Sequence, residues 1–254
     1  MDSGDAMGTL YAGTSGWTYA SWKPDFYPAK LASAKFLSYY ATRLNTVEVN
    51  YTFRAFPTEK LLTKWVAESP SGFKFAVKAN QRITHIKRLR DAAQITTDFL
   101  NALRPLQEAA KLGPVLFQLP PYIKFDSALL QNFLGELPRS FPAALEFRHE
   151  SWFVEDTYKL LRDGNVALCE AESETLETPQ VETAAFAYLR LRKEEYSKAE
   201  MAELTKRIEG LLEKGDAYVY FKHEETPEGA LNAERLLQAL KSGQPSAGGS
   251  SADR

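Results

Sequence analysis

The sequence predicts an α/β fold of one kind, a single TIM-type (β/α)8 barrel with a closed parallel sheet. Three observations carry this. Eight short β-rich runs alternate with longer amphipathic segments between residues 10 and 240, and such alternation implies right-handed crossovers and parallel strands. No linker interrupts them, so the 254 residues are read as one domain, close to the ~250 typical of such barrels. GTSGW at 13–17, after the first run, has neither the GxGxxG nor the GxxxxGK[ST] spacing, which removes the main support for an open dinucleotide-binding sheet or a P-loop.

The elements follow in order. LYAG (10–13) precedes a helical segment at 31–44, and TVEV (46–49) precedes one at 57–68 with Pro57 at its start, where a missing N–H costs nothing. FKFAV (73–77) leads to 91–111, VLFQL (115–119) to 127–137 and ALEF (144–147) to 151–163. After VALC (166–169) comes an acidic stretch, 170–182, with Glu170, Glu172, Glu174 and Glu177 and no helical pattern; it is expected to be a solvated loop. AYLRL (187–191) and AYVYF (217–221) precede helices at 197–213 and 228–240. The barrel is bounded at 9–241, and the small, polar ends, 1–8 and 242–254, are expected to be mobile.

Composition narrows the class further. The charged fraction is 25%, the hydrophobic fraction 44% and the formal net charge -2, which excludes low-complexity disorder, collagen and coiled coil and argues against a protein that coats nucleic acid through a large cationic excess. Cys169 alone cannot form an intramolecular disulfide, and a reducing compartment is the simpler expectation. No run approaches the ~18 apolar residues of a membrane span, and MDSGDAMG lacks the regions of a secretory signal, so a cytoplasmic protein with no membrane partner is expected.

In a barrel, outward strand positions meet helices and are apolar, while inward positions fill the core up to the open carboxyl-terminal mouth. Side chains alternate faces along a strand. With Val47 and Val49, Phe75 and Val77, Phe117, Leu145 and Phe147, and Leu189 and Leu191 taken as outward, the inward set near strand ends is Glu48, Asn50, Lys78, Gln118, Glu146, Arg148 and Arg190. The eighth strand is ambiguous, with Tyr218 and Tyr220 on one face and Val219 and Phe221 on the other. Charges of both signs at this level imply an ion-pair network, because an unpaired buried charge costs several kcal/mol. Glu48 or Glu146 could serve as general acid or base, tuned by Lys78, Arg148 and Arg190, and the three cations could clamp an anion. That positive charge suits a phosphate or carboxylate better than the neutral sugar of a glycosidase pair. A structural plug is the alternative.

Other features have two readings. KANQRITHIKRLRD (78–91) is the most basic stretch, either a phosphate or nucleic-acid contact, with Arg82 and His85 foremost, or a solvated loop. Trp17, Tyr19, Trp22, Phe26 and Tyr27 crowd the first loop, and Trp152 follows the fifth strand; these aromatics either stack on a ligand or form a lid. His85, His149 and His223 lie in separate loops with no HxH or HExxH pair, so no metal ligand is assigned and no cofactor is expected. A hard divalent cation on Glu48, Glu146 and waters is the exception left open.

GTSGW with YASW and FYP, VEVNYTF (47–53), FKFAVKAN with ITH (73–85), GPVLFQLPP (113–121), LEFRHESW (145–152) and VYFKHEETPEGALNA (219–233) together resemble the YecE-like family, domain of unknown function 72. The resemblance implies a TIM-type barrel with a polar cleft at its carboxyl-terminal face, and carries over Trp17, Glu48, Asn50, Lys78, Arg82, His85, Gln118, Glu146, Arg148 and Trp152 as site candidates. It implies no particular reaction. Lys222, His223, Glu224 and Glu225 depart from the Asn- and Asp-rich residues the family carries there.

The leading expectation is therefore an acid/base enzyme without a metal, acting on a small polar or phosphorylated substrate. Two alternatives stand beside it. One is a metal-dependent hydrolase or isomerase akin to endonuclease and sugar-isomerase barrels; the other is a noncatalytic protein that binds nucleic acid or another anionic ligand through the basic stretch.

Overall fold

The computed structural model describes residues 7–173, 175–193, 195–222 and 225–242. Eight parallel strands form one sheet in the order β1-β8-β7-β6-β5-β4-β3-β2: β1 (Leu10–Thr14), β2 (Thr46–Val49), β3 (Lys74–Lys78), β4 (Leu112–Gln118), β5 (Ala143–Glu146), β6 (Ala167–Ala171), β7 (Phe186–Leu191) and β8 (Asp216–Phe221). The helices are α1 (Phe36–Arg43), α2 (Glu59–Glu68), α3 (Ala93–Ala102), α4 (Arg104–Glu108), α5 (Ser127–Glu136), α6 (Glu155–Gly164), α7 (Lys198–Leu212) and α8 (Glu228–Ser242).

The sheet closes where β1 meets β2, through side chains and a single bridge. Ser15 pairs with Glu48, Gly16 N–H donates to the Glu48 carbonyl at 2.9 Å, and the Asn45 amide joins Leu10 O (2.7 Å) to Ala12 N (3.0 Å). The glycines of GTSGW serve this seam. A Cβ on Gly13 would lie 2.0 Å from the Thr46 carbonyl, and Gly16 has φ +90°, which only glycine adopts freely.

Two apolar layers follow from the alternation. Outside the strands, Val47, Val49, Phe75, Val77, Phe117, Leu145, Leu189, Val219 and Phe221 pack against the helices. Inside, the filling is lopsided: Ala76, Leu116, Ala144, Ala167, Cys169 and Ala171 on β3–β6 face Tyr188, Tyr218 and Tyr220 on β7 and β8. The tyrosines span the space that small residues leave, so β8 points its tyrosines inward. Tyr220 Oη lies 2.8 Å from Thr46 Oγ1 on β2.

Four expectations are adjusted. The helix expected at 91–111 splits after Ala102, with Pro105 in the first turn of α4, because proline lacks the donor a continuing helix needs. β4 starts at Leu112, and its register against β3 shifts between Phe75 and Val77, accommodating Gly113 and Pro114 within the strand. Glu170 is not in a loop: it faces outward on β6 and pairs with Arg207 of α7. Gly8, in the segment expected to be mobile, donates its N–H to Leu212 O at 2.7 Å. Residues 1–6 and 243–254, and the expectations placed on them, lie outside the described residues, as do Glu174, His223 and Glu224. No helix lies between β6 and β7 among the described residues, as the absence of a helical pattern there predicts. No helix among the described residues is long and apolar enough to cross a membrane.

Candidate functional site

At the carboxyl-terminal ends of the strands, the inward positions converge on Arg190. This side chain is only 2% exposed, and its Nη2 lies 2.8 Å from Glu48 Oε1 while Nη1 lies 2.6 Å from Glu146 Oε2. One guanidinium thus joins carboxylates from β2 and β5 across the barrel. Ser15 Oγ donates to Glu48 Oε1 and Tyr188 Oη to Oε2, both at 2.7 Å. Glu146 Oε1 takes Arg148 Nη2 at 2.5 Å, with Arg192 Nη2 and Gln118 Nε2 at 3.4 Å.

Both carboxylates are wholly buried. Burial alone would push them up; the Arg190 charge, with the hydrogen bonds from Arg190, Ser15 and Tyr188 at Glu48 and the further charges of Arg148 and Arg192 at Glu146, outweighs it and holds both below the ordinary carboxylate range. Arg190 is correspondingly fixed as a cation: its burial is overcome by Glu146 and Glu48. Burial, then Glu146, pushes the Cys169 thiol well up, which makes it an inert core residue rather than a nucleophile.

Lys78, at the end of β3, is held differently. Its Nζ sits 4.4 Å from the centre of the Phe53 ring, and it has no ion pair among the described residues. Burial first, and the Arg190 charge second, push its ammonium down to about 8, with Lys222 adding to the repulsion against the pull of Glu48 and Glu146. His85 lies edge-on to the same ring at 4.9 Å; its Nδ1 is 2.8 Å from Thr84 Oγ1, and burial and Lys78 lower it as well. Arg192 is lowered by burial and by Arg190. The mouth therefore concentrates cations, namely Lys78, Arg148, Arg190, Arg192 and Lys222, around two carboxylates.

The other expected site residues divide. Gln118 and Arg148 reach the network, and Asn50, at the end of β2, keeps a buried Oδ1 with no hydrogen-bond partner among the described residues. Arg82 projects outward from a π-turn at Arg82–Ile86. Trp17 and Trp152 are not brought to the mouth. Trp17 packs edge-on against Trp65 of α2 at 5.2 Å, and Trp152, fully buried, stacks on Phe147 at 4.5 Å while its Nε1 donates to Ile123 O. The remaining first-loop aromatics pack between that loop and α1, with Tyr27 stacked on Phe36 at 4.2 Å. Ser15, Tyr188, Arg192 and Phe53 belong to the site without having been expected there. For Tyr188 and Arg192 the signal was available, since each lies two residues from Arg190 and shares its face; neutral Ser15 and Phe53 sit in turns with no period to reveal them.

No three of His, Cys, Asp and Glu come together as a metal-binding group among the described residues, and His149 Nδ1 is already used by Ser151 N–H at 3.1 Å. A groove of about 940 Å³ opens beside β6 and β7, lined by Leu176, Leu189, Leu191, Leu204, the Glu170–Arg207 pair and Arg192; it lies where no helix follows β6 among the described residues, and Arg192 links it to the ion-pair network.

An eight-stranded parallel barrel with buried charges at its carboxyl-terminal mouth defines a TIM-type α/β-barrel protein. The chain belongs to the DUF72 family, described as a protein of unknown function, whose family model matches residues 11–252. Among its relatives are the UPF0759 protein YunF of Bacillus subtilis (strain 168), 33% identical over 59% of this chain and 54% of that protein, and the UPF0759 protein YecE of Escherichia coli (strain K12), 29% identical over 58% and 51%. The matched region spans about half the length of these relatives. A crystal structure of a DUF72 family protein from Thermotoga maritima MSB8 superposes with a TM-score of 0.81 at 28% identity, covering 92% of this chain and 99% of that one. A family 2 AP endonuclease from Brucella melitensis shares the fold alone, with a TM-score of 0.52 at 10% identity over 94% and 100% of the two chains.

Proposed function

We propose that the mouth binds a small substrate carrying a phosphate or carboxylate and moves a proton on it, with Lys78 as the proton-carrying group. The observation that carries this is the surplus of positive charge: burial and neighbouring cations disfavour the charged forms of both Lys78 and Arg192, and an anion placed between them relieves both at once. Arg148 offers a planar fork for a carboxylate or phosphate, and Lys78 a point charge.

The division of labour differs from the sequence expectation. Glu48 and Glu146 are buried and spent on Arg190, so they set the geometry of the arginines and leave proton transfer to an amine. An amine held near 8 has both protonation states populated close to neutral pH, the condition under which general acid/base groups work best. A metal-dependent hydrolase or isomerase would need the same carboxylates to exchange Arg190 for a cation, and no feature of their present hydrogen bonding favours that.

Calorimetric titration with inorganic phosphate and with citrate tests the reading. Saturable binding that weakens as pH rises through 8, and that falls at least tenfold in both Lys78→Met and Arg148→Met, is expected. Absence of saturable binding, or binding indifferent to both substitutions, would sink it.

A further inference from the structure

We propose that the rim formed by the loops after β2, β3, β4 and β5 is a docking surface for single-stranded nucleic acid. The proposal stands apart from the chemistry of the mouth. Among the described residues five large apolar side chains are strongly exposed, and four of them, Tyr51 (52%), Ile86 (67%), Tyr122 (60%) and Val154 (39%), fall one on each of these four consecutive loops. Isolated exposed apolar residues need no explanation, but a series around one arc does.

The loops touch one another in sequence, so the arc is continuous. Phe53 meets His85 between the loops after β2 and β3. Arg88 lies over the Tyr122 ring at 5.3 Å, and Arg90 pairs with Asp126 at 3.1 Å, between those after β3 and β4. Ser151 Oγ accepts from Phe125 N–H at 2.9 Å between those after β4 and β5.

Charge complementarity selects the partner. Arg54, Arg82, Lys87, Arg88, Arg90 and Lys124 are exposed on the arc, against Asp91, Glu150 and an Asp126 already committed to Arg90 and to the first turn of α5. The positive charge is thus concentrated on the loops after β2, β3 and β4, while Glu155, paired with Arg162, and Asp156 follow Val154 at the β5 end. The acids Glu172 and Glu177 follow β6, beyond the β5 end of the arc.

The backbone is distorted to make this display. Arg88, Leu89 and Asp91 all adopt positive φ, at 54°, 65° and 46°, a conformation unfavourable for residues other than glycine. It tucks Leu89 into the core while Lys87, Arg88 and Arg90 project outward. Two exposed tyrosines, Tyr51 and Tyr122, the latter with Arg88 over one face, set among cations and flanked by Ile86 and Val154, fit unpaired bases, which offer a π-face for stacking and a phosphate every nucleotide. A duplex keeps its bases stacked on each other, and an acidic protein has no row of rings to stack.

Fluorescence anisotropy of a labelled 15-nucleotide dT strand, titrated across salt, decides the matter. The expected result is binding at 50 mM salt whose log–log salt slope is about −0.7 per phosphate contacted, with an unlabelled duplex and poly-glutamate competing at least tenfold less well. Tyr51→Ala and Tyr122→Ala should each weaken binding about fivefold or more. Arg88→Asn, which keeps a residue tolerant of the left-handed backbone, should lower the salt slope. Lys78→Met should leave oligonucleotide binding intact, which separates failure of this proposal from failure at the mouth. No binding at low salt, equal competition by duplex, or strong competition by poly-glutamate overturns it, the last in favour of an acidic protein partner.

Discussion

Arg190 and Lys78 each bring a cation to the inward face near the end of a strand, and their surroundings could hardly differ more. Arg190 lies between Glu48 and Glu146 with a hydrogen bond to each. Lys78 has an aromatic ring beneath it and no carboxylate within ion-pair distance among the described residues. A buried cation that is fully countered holds elements together; one that is left partly desolvated and uncountered costs stability and is ready for a ligand. The contrast separates scaffold from site within a single layer of side chains.

The largest effect expected from breaking this contrast is at Arg190. Arg190→Met leaves two wholly buried carboxylates without their shared counter-charge, and breaking such a pair costs about 3–5 kcal/mol. Urea unfolding measures it, and a triple variant that also carries Glu48→Gln and Glu146→Gln should recover part of the loss, because no carboxylate is then stranded, the remainder being held back by Arg148 and Arg192, which lose Glu146. The pH dependence sharpens the same point. Both carboxyls are held below their ordinary value, so the stability they contribute is fully present above the ordinary carboxylate range and is lost as pH falls through their lowered folded values. The triple variant should lose less stability than the wild type over that acid range.

A smaller effect is expected one shell out. Tyr188→Phe keeps the ring that fills the barrel but removes the hydroxyl that donates to Glu48 Oε2, and a hydrogen bond to a charged group contributes about 1.5–3 kcal/mol. The cost should appear in urea midpoints with an unchanged slope. A change in slope as well would mean that the barrel interior loosens, and that Tyr188 acts by filling space rather than by fixing Glu48.

The alternation of strand residues made much of this legible. Glu48, Gln118, Glu146, Arg148 and Arg190 were placed on one face by period alone, and the structure brings these side chains into one network. Depth was not legible. Whether an inward carboxylate stands in the open mouth or under it depends on strand tilt and on how far neighbours reach, and here Glu48 and Glu146 rest on the small residues of β3–β6 and the tyrosines of β7 and β8 and are enclosed by the arginines that bond them. Loop residues have no period, which is why the sequence left Trp17 and Trp152 with two readings, ligand contact or lid, and could not foresee their packing on Trp65 and Phe147, while Phe53, delivered by the 3-10 turn at Tyr51–Phe53, gave no sign of its place beneath Lys78.

The smallest expected effect has the opposite sign and is the sharpest test of the comparison. The Lys78 ammonium is pushed down to about 8 from 10.5 by burial and by Arg190, so the folded protein binds its proton less tightly than the unfolded chain. Where the unfolded state binds more protons, stability rises with pH. Lys78 therefore lowers stability below pH 8, and that penalty is relieved as pH climbs toward 10.5. Lys78→Met, which keeps the aliphatic stem over Phe53, should raise stability by roughly 1–2 kcal/mol at pH 7, and the gain should shrink steadily between pH 8 and 10.5 when variant and wild type are unfolded side by side. Saturating phosphate should erase the difference from the wild-type side, because an anion that binds only the folded, protonated site stabilises it by mass action. A Lys78→Met protein that is less stable at pH 7 would show that Lys78, like Arg190, is countered within the folded chain, and the distinction between scaffold and site would have to be drawn elsewhere.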